Sequence, residues 1–215
     1  MSVPLKNLVE AIRDAKKLAK PRRFKQSVEL VVKLRDVDVR KPENRLDTVV
    51  FLPHPPKKPL KLCVFATGDL ALKAKEAGAD LVLGREDIEK LAAGKREIRK
   101  LAKQVDFFFA QADLMPLIGR YLGRFLGPRG KMPVPVPPTA DISPLLNRYR
   151  SAVKIRMRDQ PQVMCRIGTE DQSDEELAEN AQAVLSAILS KFKPYNLERV
   201  YVKLTMGPAV EVKLR

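Results

Sequence analysis

The sequence is poor in the residues that most metal-binding and catalytic sites use: among 215 residues there are two cysteines, one histidine and no tryptophan. Cys63 and Cys165 each lie in an apolar run with no second thiolate nearby, so neither a disulfide framework nor a thiolate metal site is expected. Both thiols should be buried as small hydrophobic groups. His54 lies between prolines, and a zinc site or a catalytic triad built on it would lack partners. We predict no metal and no cofactor.

Long hydrophobic runs are also absent. No apolar segment reaches the roughly 20 residues that a membrane-spanning helix needs. The N-terminus lacks the apolar core of a signal peptide. We therefore expect a soluble, cytosolic protein. The length allows one large domain or two small ones.

Basic residues are present in excess. There are 41 Lys and Arg against 26 Asp and Glu, which gives a formal net charge of +15. Such an excess in a folded chain favours a polyanionic partner, and nucleic acid is the commonest. A membrane surface is the competing partner.

The two ends of the chain have the patterns of an α+β domain. Residues 5–19 repeat apolar side chains at helical spacing, with Pro4 in the first turn and Ser2 as the expected N-cap. Ser173 and Glu176 form a capping box before a second helix. Alternating apolar side chains predict strands that start at Ser27 and near Arg199, and over 48–52, 153–157 and 163–167. Apolar Val31 on the second face of the first strand indicates an inner or partly covered strand.

The middle of the chain has the pattern of an α/β module. Short apolar runs at 62–66, 81–83 and 107–110 alternate with helical stretches, as parallel strands and their crossover helices do. Asp113 is the expected cap of a helix over 114–122.

Neither end has enough apolar surface to fold alone, so we predict that both ends form one sheet of a discontinuous domain. The proline-rich stretch from Pro53 to Pro59 is a natural junction, with a return near Arg150. The predicted fold is therefore an α+β discontinuous domain, residues 1–57 plus 152–215, with an inserted Rossmann-like three-layer domain, residues 58–151.

The α/β section ends in a glycine-rich loop that departs from a nucleotide-binding motif. The Walker pattern requires Gly where Phe125 stands and a hydroxyl residue where Met132 stands. The sequence therefore argues against nucleoside-triphosphate hydrolysis, although a nucleotide-dependent enzyme remains the alternative function. An exposed, flexible loop suited to a phosphate backbone is the other interpretation, and a basic surface loop without a partner is the third. The loop contact with RNA or tRNA is predicted at Gly127, Arg129, Gly130 and Lys131.

Two further segments carry candidate contacts. The last strand runs into Thr205–Pro208, where a flexible glycine meets a rigid proline; this is either an ordinary turn or a place where backbone meets a ligand. Phe24 is flanked by Arg22, Arg23 and Lys25, and it either packs in the core or offers a stacking surface.

Four segments in the same order resemble the universal stalk protein of the large ribosomal subunit, the ribosomal protein L-one family, in its archaeal type. They are Phe24–Glu29, Leu52–His54, Leu126–Pro133 and Thr205–Pro208. The resemblance implies a structural constituent of the large subunit, not an enzyme, that binds large-subunit rRNA at the mobile stalk. It also implies assistance in release of exit-site tRNA and repression of translation by binding its own mRNA. Such a protein is cytoplasmic and is a monomer within the ribosome.

The resemblance also implies an RNA-facing patch. In this sequence it comprises Phe24, Ser27, Glu29, Thr205, Met206, Gly207 and Pro208. Ser27 stands where many members have Thr and keeps the hydroxyl group. Basic side chains expected around the patch to attract phosphates are Arg22, Arg23, Lys33, Arg156 and Lys203.

Overall fold

The computed structural model describes residues 3–214, which fold as two compact units. Unit 1 comprises the described residues up to Lys58 and from Ser151 on, and unit 2 comprises Pro59–Arg150. The fold is mixed α/β, with antiparallel sheets in unit 1 and a parallel sheet in unit 2. The cap expected at Ser2 lies outside the described residues.

Within residues 3–214 the chain forms eight α-helices and ten strands. The helices are α1 (Leu5–Leu18), α2 (Asp69–Glu76), α3 (Arg85–Ala93), α4 (Lys95–Gln104), α5 (Met115–Tyr121), α6 (Gly123–Leu126), α7 (Ser143–Tyr149) and α8 (Asp174–Leu189). The strands are β1 (Ser27–Leu34), β2 (Asp47–Phe51), β3 (Leu62–Phe65), β4 (Leu81–Leu83), β5 (Phe107–Gln111), β6 (Val134–Val136), β7 (Ala152–Arg156), β8 (Gln162–Thr169), β9 (Leu197–Leu204) and β10 (Ala209–Val212). Short 3-10 turns lie at Pro42–Asn44, Ala112–Leu114 and Pro194–Asn196.

The main sheet of unit 1 has the order β10-β9-β1-β8, and all neighbours are antiparallel. β1 is an inner strand, as Val31 indicated. Helices α1 and α8 cover one face, where Ile12 on α1, Leu30 on β1 and Val184 on α8 are all fully buried. The other face carries the partly exposed residues of the same strands.

β2 and β7 form a separate two-stranded antiparallel sheet. The prediction that the ends make a single sheet is therefore wrong for these two strands. β2 and β7 pair with each other rather than adding to the outer edge of β8 or β10, and strand alternation alone does not determine which strands pair. Across the small sheet, the Asp47 carboxylate forms ion pairs with Lys154, whose Nζ lies 2.9 Å from Oδ1, and with Arg156, whose Nε lies 3.5 Å from Oδ2.

Helix α8 begins with the predicted capping box. The Glu176 N–H donates to Ser173 Oγ, and the Ser173 N–H donates to Glu176 Oε2, each at 3.1 Å. These bonds satisfy two N–H groups that a helix start leaves unpaired. The helix is thereby fixed at the point where its buried face meets the main sheet.

Unit 2 is a parallel sheet in the order β4-β3-β5-β6 with helices on both faces. Every residue of the inner strand β3 is buried. Phe65 and Phe108 point to the core with α3, α4 and α5, whereas Val64 and Phe109 point to the core with α2 and α7. The sheet is thus the middle of three layers.

Asp113 does not cap a helix, contrary to the prediction. It lies inside the 3-10 turn Ala112–Leu114, and its Oδ2 accepts from the side chain of Gln111 at 3.2 Å. Helix α5 starts later, at Met115, without a side-chain cap. The carboxylate therefore fixes a buried glutamine rather than the helix end.

Both cysteines are free and buried, as predicted. Burial raises the pKa of Cys63 to about 12, and burial, followed by the charge of Glu29, raises that of Cys165 to about 12. Of the helices within residues 3–214, none is both long and apolar enough to cross a bilayer.

Candidate nucleic-acid interface

The uncovered face of the main sheet, called the open face below, is built by strand alternation. Side chains that point away from α1 and α8 lie in cross-strand rows set by the register. On β8, β1 and β9 the rows are Arg166, Glu29 and Lys203; Met164, Val31 and Tyr201; and Gln162, Lys33 and Arg199. β10 adds Ala209 and Glu211 beside Lys203 and Tyr201. Polar, aromatic and apolar groups therefore alternate on one half-exposed surface.

The ammonium of Lys203 is held at the end of this face next to Thr205. Its Nζ lies 3.8 Å from Glu29 Oε2 and donates to the Thr205 carbonyl at 3.2 Å. Predicted site residues Glu29, Lys203 and Thr205 are thus brought together. The carboxylate remains able to accept a further hydrogen bond, because an ionised carboxylate has about four acceptor positions.

Two other basic groups of the open face, Lys33 and Arg199, also have acidic neighbours. Lys33 Nζ lies 3.0 Å from Glu198 Oε1. Arg199 Nε lies 3.9 Å from Glu211, and its guanidinium donates to the Tyr201 hydroxyl at 3.3 Å. The hydrogen bond to Tyr201 and the nearby carboxylates raise the Arg199 pKa. The face is therefore a charge mosaic rather than a uniformly positive patch.

Ser27 and Thr205 join the two ends of the chain at the margin of the sheet. The Thr205 N–H donates to the Ser27 carbonyl at 3.0 Å, and the Ser27 N–H donates to Thr205 Oγ1 at 3.1 Å. The Thr205 hydroxyl is used as a structural acceptor in this arrangement. The Ser27 hydroxyl has no hydrogen-bond partner within the described part of the chain.

Gln26 positions the adjoining turn, although it was not among the site residues predicted from the sequence. It is 1% exposed. Its Oε1 accepts from the Met206 N–H at 3.1 Å, its Nε2 donates to the Lys20 carbonyl at 3.3 Å, and its N–H donates to Glu170 at 2.9 Å. One buried side chain thus connects the end of α1 with the 205–208 turn. Its position just before an alternating strand was the available signal.

The large apolar side chains next to this junction remain exposed. Phe24 is 51% exposed and Met206 is 57% exposed. The core-packing interpretation of Phe24 is therefore wrong, because half of the side chain faces solvent. Its neighbours Arg22, Arg23 and Lys25 are exposed as well. This segment leaves an aromatic ring and several cations accessible at one corner of unit 1.

Gly207 allows the turn to lie close to helix α1. A Cβ atom at this position would lie 3.3 Å from the Cβ atoms of Ala19 and Leu204. Such contacts are tighter than usual, so any larger side chain would displace the turn from α1. The neighbouring Pro208 is exposed.

Lys25 is held by an ion pair with Asp171. Its ammonium lies 3.1 Å from Asp171 Oδ2, and the Thr169 hydroxyl donates to Asp171 Oδ1 at 2.5 Å. These two hydrogen bonds, with Thr169 as the larger cause, lower the pKa of Asp171 to about 2. The carboxylate is therefore ionised at every ordinary pH and holds the segment that carries Phe24.

Arg156 lies apart from the other predicted site residues. It is on β7, in the separate two-stranded sheet, and its Nε lies 3.5 Å from Asp47 Oδ2. It shares a surface pocket with Met164 on β8, at the edge of the open face. Local alternation correctly predicted a strand here, but it could not reveal which sheet the strand joins.

The loop at Gly127–Lys131 differs from the exposed, flexible loop that was predicted. It follows helix α6, and Lys131 Nζ donates to the carbonyls of Ala102 at 3.1 Å and Val105 at 2.5 Å. Burial lowers the pKa of Lys131. The negative charge of Asp106 partly offsets this shift, and the positive charge of Arg129 adds to it. The ammonium is used because the last carbonyls of α4 need donors.

The remaining loop residues are also tied to the helix. The Arg129 guanidinium donates to the Phe125 carbonyl at 3.3 Å, and Gly130 adopts a positive φ of 68°. Gly127 lies close to the carbonyl of Gly123. Neither basic side chain of the loop is fully exposed.

Three further residues of the open face were not selected from the sequence: Met164, Arg166 and Tyr201. The same two-residue period that placed Lys203 outward also places Tyr201 outward. Met164 is 57% exposed although it stands in a largely buried strand. A helix-covered four-stranded antiparallel sheet with basic and aromatic groups on its open face is an architecture found in a class of RNA-binding modules.

Comparison with known proteins identifies the family. Residues 15–208 match the model of the Ribosomal protein L1p/L10e family, and the chain belongs to that family. The chain is 59% identical to the large ribosomal subunit protein uL1 of Thermofilum pendens over 208 residues, which cover 96% of this chain and 92% of that protein. It is 53% identical to uL1 of Archaeoglobus fulgidus over 214 residues, with 99% and 100% coverage. It is 51% identical to uL1 of Hyperthermus butylicus over 215 residues, with 99% of each chain covered.

These comparisons confirm the resemblance to an archaeal ribosomal protein. They also confirm that the chain is not an enzyme, so the nucleotide-dependent alternative is wrong. A ribosomal protein works on the ribosome, which agrees with the predicted cytoplasmic location.

Proposed function

We propose that the chain binds large-subunit rRNA at the mobile stalk, as a structural constituent of the large ribosomal subunit, and that unit 1 makes the main contact. The observation that carries this proposal is the Ser27–Thr205 junction. It joins residues from both ends of the chain and leaves the adjacent segments with Phe24 and Met206 exposed. The contact surface comprises this corner and the open face.

The groups at the corner suit the recognition of folded RNA. Specific RNA binding depends on unstacked bases, on shape and on the ribose 2′-OH. Phe24 offers a face for base stacking, and the Ser27 hydroxyl has no partner within the described residues. The Glu29 carboxylate can accept from a 2′-OH, since its contact with the Lys203 ammonium is long, at 3.8 Å.

Attraction of phosphates is assigned to cations around this corner. Arg22 and Arg23 are exposed and form no ion pair within residues 3–214. Lys33 and Lys203 contact carboxylates, so their main effect is to orient polar groups at the interface. Arg156 serves the edge of the surface next to Met164. Each phosphate neutralised on a single strand lowers the log–log salt slope by about 0.7.

Two finer functions complete the proposal. The chain also represses translation by binding its own mRNA through the same surface. An mRNA segment that folds with the same exposed riboses and bases contacts the same protein groups. The loop Gly127–Lys131 of unit 2 contacts exit-site tRNA and assists its release. Arg129 is the better candidate there, since Lys131 already donates to two carbonyls. The chain acts as a monomer within the ribosome.

Competition binding tests the proposal. A labelled stalk-rRNA fragment is bound to the full chain at physiological salt and challenged with excess unrelated tRNA or duplex DNA. The fragment should stay bound, and Phe24→Ala should weaken its binding at least about fivefold, since stacking of one base contributes about 1–3 kcal/mol. Displacement by either competitor would instead indicate a sequence-tolerant polyanion binder.

A further inference from the structure

Helix α4 carries a basic surface that none of the contacts described above uses. Its ten residues include one carboxylate, Glu97, and five exposed cations: Lys95, Arg96, Arg99, Lys100 and Lys103. At 3.6 residues per turn, all five cations lie within an arc of about 140°. The positions of Glu97 and Gln104 fall outside that arc.

The opposite side of α4 is fixed in the core of unit 2. Ile98 and Ala102 are each 1% exposed, and Val105 just after the helix is fully buried. These residues pack with Phe108 of the parallel sheet. The helix therefore cannot turn its apolar side toward a membrane, and its cationic side is held outward.

The five cations also differ from those of the open face in their neighbours. None of them forms an ion pair or a side-chain hydrogen bond among residues 3–214. On the open face, by contrast, Lys33, Arg199 and Lys203 each lie within 4.0 Å of a carboxylate. The positive charge of α4 is thus not offset within the protein.

The C-terminal end of α4 is closed by a further cation. Lys131 donates to the carbonyls of Ala102 and Val105, where the helix dipole places negative charge. This contact offsets the negative end of the helix. It also places the Gly127–Lys131 loop against the end of the basic surface, so the two elements are neighbours within unit 2.

We propose that the exposed face of α4 is a second RNA-binding surface, which contacts the phosphate backbone of double-helical RNA without reading its sequence. Lys95, Arg99 and Lys103 form one row that extends about 12 Å along the helix axis, which suits several phosphates. A protein partner fits less well, because the arc holds no apolar or aromatic residue to serve as a buried anchor. The proposal deepens the proposed function, since its partner is again RNA.

The test compares two full-length variants with equal loss of charge. Lys95→Gln/Arg99→Gln/Lys103→Gln removes the row, and Lys61→Gln/Lys73→Gln/Lys75→Gln removes three exposed cations elsewhere on unit 2. Glutamine has a helix propensity close to that of Lys and Arg, so both variants should fold, which circular dichroism checks. The probe is a 20-base-pair RNA duplex of arbitrary sequence, titrated between 50 and 200 mM KCl.

We expect the row variant to lose at least tenfold in duplex affinity and to lower the log–log salt slope by about 2 to 3, whereas the control stays within twofold. Equal losses in both variants, or none in the row variant, would overturn the proposal. A tethered cleavage reagent on Lys100→Cys should cut the bound duplex more strongly than one on Lys75→Cys. The two native thiols are buried and should not take the label.

A second probe separates this inference from the proposed function. Met206→Asp should abolish binding of the stalk-rRNA fragment but leave duplex binding unchanged. If the stalk fragment binds Met206→Asp normally, the proposed function fails while the duplex result still decides the role of α4. If duplex binding depends on Met206 and not on the row, the inference fails alone.

Discussion

The side-chain amide of Asn180 holds the main chain of His54 through both of its atoms. The His54 N–H donates to Asn180 Oδ1 at 2.9 Å, and Asn180 Nδ2 donates to the His54 carbonyl at 2.8 Å and to the Ile167 carbonyl at 2.8 Å. Further along, Lys57 Nζ donates to the Asp171 carbonyl at 2.7 Å. The proline-rich segment is thus hydrogen-bonded to unit 1 as far as Lys57. Most of the predicted junction Pro53–Pro59 therefore belongs to unit 1 rather than to a free linker.

Asn180→Ala should destabilise unit 1 by about 2–4 kcal/mol, because three bonded groups in a fully buried site lose their partner. Hydrogen exchange of the His54 amide should accelerate in parallel. Glu179→Ala is the control, since Glu179 contacts the His54 ring from a half-exposed position and should contribute less than about 1 kcal/mol. Equal effects of the two changes would contradict a stabilising role for the Asn180 hydrogen bonds to the main chain of His54.

Asp171→Asn should lower the Tm of unit 1 at neutral pH and have little effect in acid. The folded state lowers the Asp171 pKa to about 2, so this carboxylate stabilises the fold above its unfolded pKa. That stabilisation is lost as the pH falls through about 2. The Tm difference between wild type and variant should therefore close between about pH 4 and pH 2. A difference independent of pH would rule out this linkage.

Lys131→Met should destabilise unit 2 by about 1–3 kcal/mol, because the Ala102 and Val105 carbonyls lose their donor. Amide exchange in the last turn of α4 should accelerate. Arg129→Met is the matched control on the same loop, and its single bond to Phe125 predicts a smaller loss. The measurement is thermal unfolding of the full chain; a larger effect of the Arg129 change would contradict the assignment.

Gln26→Leu should weaken binding of the stalk-rRNA fragment about tenfold and lower stability by about 1–2 kcal/mol. The leucine fills the buried site but cannot accept from the Met206 N–H or donate to the Lys20 carbonyl. The turn would lose its position while Met206 itself is kept. Gln182→Leu, at an exposed position of α8 in the same unit, should change neither quantity. Full affinity of the Gln26 variant would show that the turn needs no such support.

Local sequence patterns predicted most strands because side-chain alternation reports burial directly. Val28, Leu30 and Val32 are fully buried on one face of β1, while Lys33 and Glu29 lie on the other. The capping box at Ser173 was equally predictable from the sequence, since both partners lie within one helical turn. These features depend on neighbours in the sequence.

The errors concern contacts between distant segments. The pairing of β2 with β7 depends on which sheet edges remain free, and no local pattern encodes that. The sequence around Lys131 predicts an exposed cation, because the contact of its ammonium with the end of α4 is a tertiary contact that local pattern does not show. Strand β10 lies just after Pro208 and is only four residues long, too short for a clear period. Gln26 was missed because a buried polar residue has no periodic signal.

The central claim is that the two ends of the chain meet at a corner of unit 1 that binds structured RNA. Its most direct test is the affinity of the stalk-rRNA fragment for Met206→Asp and Met132→Asp, two exposed methionines that receive the same charge. The account predicts at least a hundredfold loss for Met206→Asp and less than threefold for Met132→Asp, with both proteins folded. Unchanged binding by Met206→Asp, or equal losses in the two variants, would contradict it.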